Sequence, residues 1–378
     1  MTTRSTPGAC RRQADRSHFL VWAVALGLLA IAAFNLTFVL RALGPAGQAS
    51  DFRWWYGAAE LGLQRGWNHL YDPALQAQYI SATYPFVNPP PLAWLVVPLT
   101  NLPEPIAYVV FALLLVGCLI LASQLASGPR PVSRVLAFGT AFGLFPAMIS
   151  IVYGQPVAIA LLAIVGAWWL DKRGRPILAG VILSFIVVKP NIVVLVPLAL
   201  LLSARHRAFV AWAIATAALA AISAISVGLD NLRAYLHLLA IVGGQKQSFT
   251  LGSGWVFWVA VAVIVGLTSA VAWKRRGSGF ELPLAVALAG SLLISHHLNV
   301  YDLALYAPVL WLVYQGDLHW TAKVAAAGMW VLLDVAIVNS TLIVTAELAL
   351  LLVLVLNDLV LRRGGFLPIS QNATEDLA

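Results

Sequence analysis

Residues 176–202 read PILAGVILSFIVVKPNIVVLVPLALLL, and this stretch decides the fold class. It is long enough to cross a bilayer, which takes ~20 apolar residues. Lys189 lies in the middle of the run. A charged amine at that depth costs ~2.5–3.5 kcal/mol on insertion scales, so by default it has a role. Pro190 follows and breaks the helix there. Backbone freed by such a break survives at membrane depth only where it faces protein or a wet cavity. Lys189, Pro190 and Asn191 therefore point to a polar pocket inside a membrane protein, with a cation ready for an anionic ligand. The bland alternative is a lysine that snorkels to the surface, and the adjacent proline in mid-run argues against it.

The rest of the chain has the same character. Of 378 residues, 61% are hydrophobic and only 10% are charged. Repeated apolar runs of this length define an all-α polytopic membrane protein. No alternating strand pattern supports a barrel. The net charge of +8 does not indicate nucleic acid, because the basic residues fall in short clusters between apolar segments, where they set topology. Cys10 and Cys118 form no disulfide framework. The first apolar run, Phe19 to Leu40, exceeds a signal-peptide core and lacks a small-residue cleavage site, so it reads as a retained span.

The clusters are Arg11/Arg12/Arg16, Arg130/Arg134, Lys172/Arg173/Arg175, Arg205/Arg207, Lys274/Arg275/Arg276 and Arg362/Arg363. Placing all of them inside predicts about twelve transmembrane helices with both ends cytoplasmic. The expected spans are 18–40, 105–126, 132–152, 155–170, 176–188, 190–203, 206–227, 254–273, 280–295, 300–315, 320–339 and 342–361. They form a single membrane domain over 18–361, between tails 1–17 and 362–378. Segment 89–102 is too short to cross alone and reads as re-entrant or as half of a broken helix. Two outer loops remain, at about 41–88 and 228–253. The first carries DFRWWYGAAELGL and DPALQAQYI, which read as short membrane-surface helices, the second starting near Asp72 or Pro73.

Polar residues at the outer ends of the spans make a consistent set. They are Asp51, Asn88, Gln155, Lys189, Asn191, Ser295, His296, His297, Asn299 and Asp302. Each has an ordinary alternative: a solvated loop acid for Asp51, a helix cap for Gln155, an interfacial position for the histidines, and a helix N-terminus for Asp302. Asp334 and Glu347, in the last two apolar runs, have no assigned role.

The chemistry of the set is specific. A lysine at membrane depth suits a lipid phosphate, to which it offers a point charge and three donors. Asn191 and Gln155 fall beside it on the donor-phosphate side. A carboxylate near the water boundary suits deprotonation of an acceptor hydroxyl. Trp54 and Tyr56, with Asn88 and Asp302, suit a sugar or acceptor. The combination is sugar transfer from a lipid-phosphate donor to a hydroxyl. Asp51 has no second carboxylate beside it, so no metal ligand set and no cofactor are expected.

The ordered motifs also carry a resemblance. They are Asp51-Phe52 with Tyr56-Gly57-Ala58-Ala59, then Leu70-Tyr71-Asp72-Pro73, Phe86-Val87-Asn88-Pro89-Pro90-Pro91-Leu92 and Gly154-Gln155. Lys172-Arg173-Gly174-Arg175-Pro176 through Gly180, Lys189-Pro190, and Ser295-His296-His297-Leu298-Asn299-Val300-Tyr301-Asp302 follow. Together these resemble the C-type glycosyltransferases that use polyprenyl-phosphate sugars, most closely glycosyltransferase family 87, the polyprenol-phosphate-mannose-dependent α-mannosyltransferases. The resemblance implies a GT-C type fold and a polyprenyl-phosphate-linked sugar, mannose, as donor. It also implies a glycolipid or glycan acceptor, and Asp51 as general base of an inverting transfer. The histidine of the Ser-x-His segment corresponds to His297 by register, with His296 the alternative. The expected location is a bacterial inner membrane, with the site facing the periplasm or exterior.

Two rivals need the same polar cavity: a flippase for a lipid-linked glycan, and a non-catalytic binder of polyprenyl-linked glycan. Duplicated halves, common in transporters, are not visible in this chain. The topology makes its own prediction. With Cys10 and Cys118 replaced, Gln64→Cys reacts with an impermeant thiol reagent on intact cells; labelling only after permeabilisation would reverse the orientation.

Overall fold

The computed structural model describes residues 7–42, 51–81, 85–129, 131–243, 249–251, 254–316, 318–335 and 339–359. Arg130, Tyr84, Arg362, Arg363, the tail 362–378 and parts of both expected outer loops lie outside the described residues. Among those described, every regular element is helical. The chain opens with α1 (Pro7–Ala42), so the helix already runs through much of the expected tail. The first outer loop carries α2 (Phe52–Arg65) and α3 (Pro73–Tyr79), at the two stretches read as short helices. Asp72 caps α3, accepting the N–H groups of Ala74 and Leu75 at 2.9 and 3.2 Å. The proline run makes α4 (Pro90–Val96) and a 3-10 turn, Val97–Asn101, together too short to cross.

The remaining helices follow the apolar runs. They are α5 (Glu104–Ala126), α6 (Pro131–Gly143), α7 (Phe145–Val152), α8 (Val157–Lys172), α9 (Pro176–Leu183), α10 (Val196–Leu202) and α11 (His206–Val227). Then come α12 (Leu229–Gly243), α13 (Gly254–Lys274), α14 (Glu281–Leu293), α15 (Tyr306–Gln315), α16 (Trp320–Val335) and α17 (Ser340–Leu359). Prolines sit in the first turn of α3 to α7, α9 and α10, where the missing N–H costs nothing.

Among the described residues, five helices are long and apolar enough to cross a membrane, at Trp22–Arg41, Glu104–Ala126, His206–Val227, Gly254–Lys274 and Ser340–Asp358. The bent pair α6–α7 makes a sixth if counted as one span. The twelve expected from sequence include shorter helices such as Glu281–Leu293 that do not meet this length alone. On α13, the exposed Trp255 and Trp258 lie at one end and the exposed Trp273 at the other. At a rise of 1.5 Å per residue this spacing is ~27 Å, the separation of the two aromatic belts of a bilayer.

Three apolar stretches are interrupted, one of them at the boundary expected between spans 176–188 and 190–203. Residues 132–152 bend by 59° between α6 and α7. The opening stretch runs from α9 through a 3-10 turn, Ser184–Val188, to Lys189, a second short turn, Pro190–Ile192, and then α10. Residues 300–315 begin as a 3-10 turn, Val300–Leu305, before α15. The interruptions lie together: α7 and α8 both pack on Val300–Leu305, and α8 also packs on Ser184–Val188.

The two ends of the bundle differ in charge. At one end the basic clusters meet in ion pairs, with Arg205 on Asp171 at 2.6 Å, Lys172 on Glu281 at 3.1 Å and Arg275 on Asp358. At the other end α12, unforeseen in the second outer loop, holds the first. Asn231 accepts the Tyr71 N–H at 3.0 Å and donates to the Asn68 carbonyl, while the Tyr235 ring packs at a tilt on Tyr71, centroids 4.6 Å apart.

Candidate active site

Asp51 stands directly before α2, but its side chain does not cap that helix. It turns to the Tyr153–Gln155 corner at the end of α7. There Phe52 N donates to the Tyr153 carbonyl at 3.2 Å, Trp55 Nε1 to the Gly154 carbonyl at 2.9 Å, and the Tyr108 hydroxyl to the Val152 carbonyl at 2.5 Å. The carbonyls left over at the helix end are thus satisfied, as buried backbone requires. Gly154 has φ +65°, and a Cβ on it would stand 2.7 Å from the Phe52 Cβ. Only glycine lets α2 come this close.

The contact presents Gln155 to Asp51. Gln155 Nε2 donates to Asp51 Oδ2, and its Oε1 accepts from Lys189 Nζ at 2.7 Å. Lys189 Nζ then pairs with Asp302 Oδ1 at 2.6 Å and lies 4.2 Å from the centre of the Tyr301 ring. Four residues from four segments are thus linked into one chain by two hydrogen bonds and one ion pair. Their exposures of 8% for Asp51, 3% for Gln155, 6% for Lys189 and 0% for Asp302 keep water from screening it. With all three charged groups ionised the chain carries one net negative charge. Asp302 also accepts the Asn299 N–H at 2.9 Å in a capping box, so its helix-end and ion-pairing roles coincide.

A second set lies alongside. Asn191 Nδ2 donates to the His297 carbonyl at 2.8 Å and to Ser295 Oγ at 3.3 Å. His297 Nε2 is 3.4 Å from Asn299 Nδ2 and so accepts from it, which places the ring proton on Nδ1. That Nδ1 has no hydrogen-bond partner among the described residues. His296 points elsewhere: it is exposed and its ring packs on Phe257, centroids 3.9 Å apart, with Trp258 at its edge.

Burial sets the proton affinities. It pushes the Asp51 carboxyl up to about 6, against the Gln155 hydrogen bond and the Lys189 charge, which lower it. For His297, burial lowers the imidazole below its ordinary value; Asp302 opposes this and Lys189 adds to it. The site therefore favours the neutral form of His297.

Other sequence candidates stand further from the chain. Tyr56 is buried and its hydroxyl donates to the Leu102 carbonyl at 2.9 Å, so it braces α2. Trp54 is half-buried and meets Trp55 edge-on. Asn88 is half-buried, and its carbonyl accepts from the Tyr71 hydroxyl at 2.7 Å. Two aromatic residues had no assigned role in sequence. Tyr301 covers Lys189, and the exposed Tyr153 stands beside it, ring centres 6.1 Å apart. Their signal was position alone: Tyr153 adjoins the quoted Gly154-Gln155, and Tyr301 lies within the quoted segment from Ser295 to Asp302. Among the described residues no three His, Cys, Asp or Glu side chains are grouped to hold a metal. A cavity of about 210 Å³ lined by Arg275, Ser278, Glu281 and Gln315 lies at the basic end, away from these groups.

Comparison with known families gives one match. Residues 86–296 match the model of glycosyltransferase family 87. The match spans more than half of the chain and includes Asn88, Gln155, Lys189, Asn191, Ser295 and His296; Asp51, His297 and Asp302 lie outside it. No match was found among curated proteins or among solved structures. A match over more than half of the chain leads to one conclusion: this chain belongs to glycosyltransferase family 87.

Proposed function

We propose that this glycosyltransferase moves a mannosyl residue from a polyprenyl-phosphate donor to a hydroxyl of a glycolipid or glycan, at the outer face of a bacterial inner membrane. The observation that carries the reading is the buried chain Asp51–Gln155–Lys189–Asp302, with a carboxylate at one end and an ammonium within it. The acceptor oxygen attacks the anomeric carbon as the bond from that carbon to the phosphate oxygen breaks. Its proton passes to Asp51, and polyprenyl phosphate leaves with the bonding pair. One displacement inverts the anomeric centre. Phosphate is already a good leaving group, so the site needs a base more than an acid.

Gln155 orients the Asp51 carboxylate. Lys189 supplies positive charge to the donor phosphate, which takes the place of the Gln155 amide oxygen at Nζ while Asp302 stays bound. Asn191 braces the loop of Ser295 and His297. Neutral His297, with an unpartnered Nδ1–H, orients a substrate oxygen. Tyr153 and Trp54 offer aromatic faces to sugar rings.

Asp51→Asn keeps size and polarity and removes the proton acceptor, so transfer falls by about 10²–10⁴-fold. In the wild type a protonated Asp51 cannot act as base, so the rate drops as pH falls through about 6. Turnover of Asp51→Asn within a few-fold of wild type, from a synthetic polyprenyl-phosphate mannose, rules out the assignment.

Lys189 needs a paired test. Removing it alone leaves Asp302 buried and unpaired, which costs ~3–5 kcal/mol of stability. Lys189→Met with Asp302→Asn removes both charges, and the folded double variant loses donor affinity. Unchanged donor titration makes the pair purely structural.

The histidines divide the work unequally. His297→Ala lowers turnover far more than His296→Ala, because only His297 joins the Asn191–Asn299 set. Near-wild-type turnover of both single variants removes histidine from the mechanism.

A further inference from the structure

The mechanism leaves Asp334 unused, although a carboxylate within an apolar helix is costly and by default functional. Its Oδ1 accepts the N–H of Phe145 at 2.6 Å. Phe145 is the first residue of α7, immediately after the 59° break. A helix that starts in the membrane leaves its first N–H groups without partners, and a helix that stops there leaves its last carbonyls. Both sides of this break are answered by side chains. Asn35 of α1 donates to the Gly143 carbonyl at 2.8 Å, and Trp330 Nε1 donates to the Thr140 carbonyl at 2.9 Å. Trp330 and Asp334 share one face of α16 through their i, i+4 spacing. Trp330 also closes on Gly143, where an added Cβ would stand 3.0 Å from its ring. The break is therefore held by donors and acceptor from two neighbouring helices.

The far end of the same short helix carries the site. Beyond Val152 come the Tyr153 and Gly154 carbonyls that seat α2, and Gln155. We infer that Asp334, with Trp330 and Asn35, is a positioning device that sets the α6–α7 break and thereby aims Gln155 at Asp51 and Lys189. This rests on the proposed role of Asp51. Eight residues of helix span ~12 Å, so a small rotation at Phe145 becomes a shift of the order of 1 Å at Gln155. A misplacement of that size far from the chemistry can cost ~10²-fold in rate.

The role needs only a hydrogen-bond acceptor, not a charge or a proton. Full-length Asp334→Ala therefore lowers kcat by about 10- to 100-fold with the donor KM unchanged, and Asp334→Asn, whose amide oxygen still accepts from Phe145, stays within a few-fold of wild type. Phe145→Pro supplies the second arm. Proline is tolerated in the first helical turn, and the extended Leu144 before it, with ψ 113°, suits a following proline. That change removes the N–H, so adding Asp334→Ala to Phe145→Pro costs no further kcat. A double variant with the kcat of Phe145→Pro supports the inference even where Asp334→Ala alone does not fold. Wild-type kcat in Asp334→Ala, equal losses in Asp334→Ala and Asp334→Asn, or additive losses in the double variant overturn it. An active Asp51→Asn instead overturns the reading on which it rests.

Discussion

Lys189 and Asp302 form an ion pair at 2.6 Å with almost no exposure, and much of the architecture exists to make that pair possible. Two opposite charges gain little by leaving water unless their remaining donors and lone pairs are met. Here they are met. Gln155 and the Tyr301 ring take up the ammonium, and the Asn299 N–H takes the second carboxylate oxygen. The pair also joins segments more than a hundred residues apart in sequence, and through Gln155 it extends to Asp51 in the outer loop. A glycosyltransferase site assembled this way holds its groups in place by contacts within the chain, and catalysis by positioning depends on such fixed geometry.

The pair could not form from unbroken helices. Lys189 leaves its span at Pro190, Asp302 opens a 3-10 turn, and Gln155 follows a helix that itself starts at a break. Irregular backbone of this kind survives within the membrane only where other groups satisfy it. Asn35, Trp330 and Asp334 do this at one break, and Ser291 does it near another by accepting the Leu195 N–H at 2.9 Å. Helix α14, which is buried along its length, is the wall against which the pieces pack. The long crossing helices, exposed on their outer sides, form the rim that faces lipid.

Much of this was legible in the chain as written. Apolar runs, basic clusters and first-turn prolines determined the membrane class, most helix positions and which residues gather at one end, because each depends on local chemistry and on transfer between water and lipid. Lys189 before Pro190 announced a polar interior by its cost alone. The bend at Leu144, the helix α12 and the division between crossing and partial helices were not legible. A bend depends on which neighbours offer hydrogen bonds, and α12 on the loop that it clamps. Register favoured His297 over His296, but adjacent residues carry the same composition signal, and packing against Phe257 or contact with Asn299 is what distinguishes their surroundings. Sequence thus determined which chemical groups are present and in what order along the chain. Tertiary structure alone decided which of them touch, because hydrogen bonds between distant segments depend on angles and distances of about an ångström that no local pattern encodes.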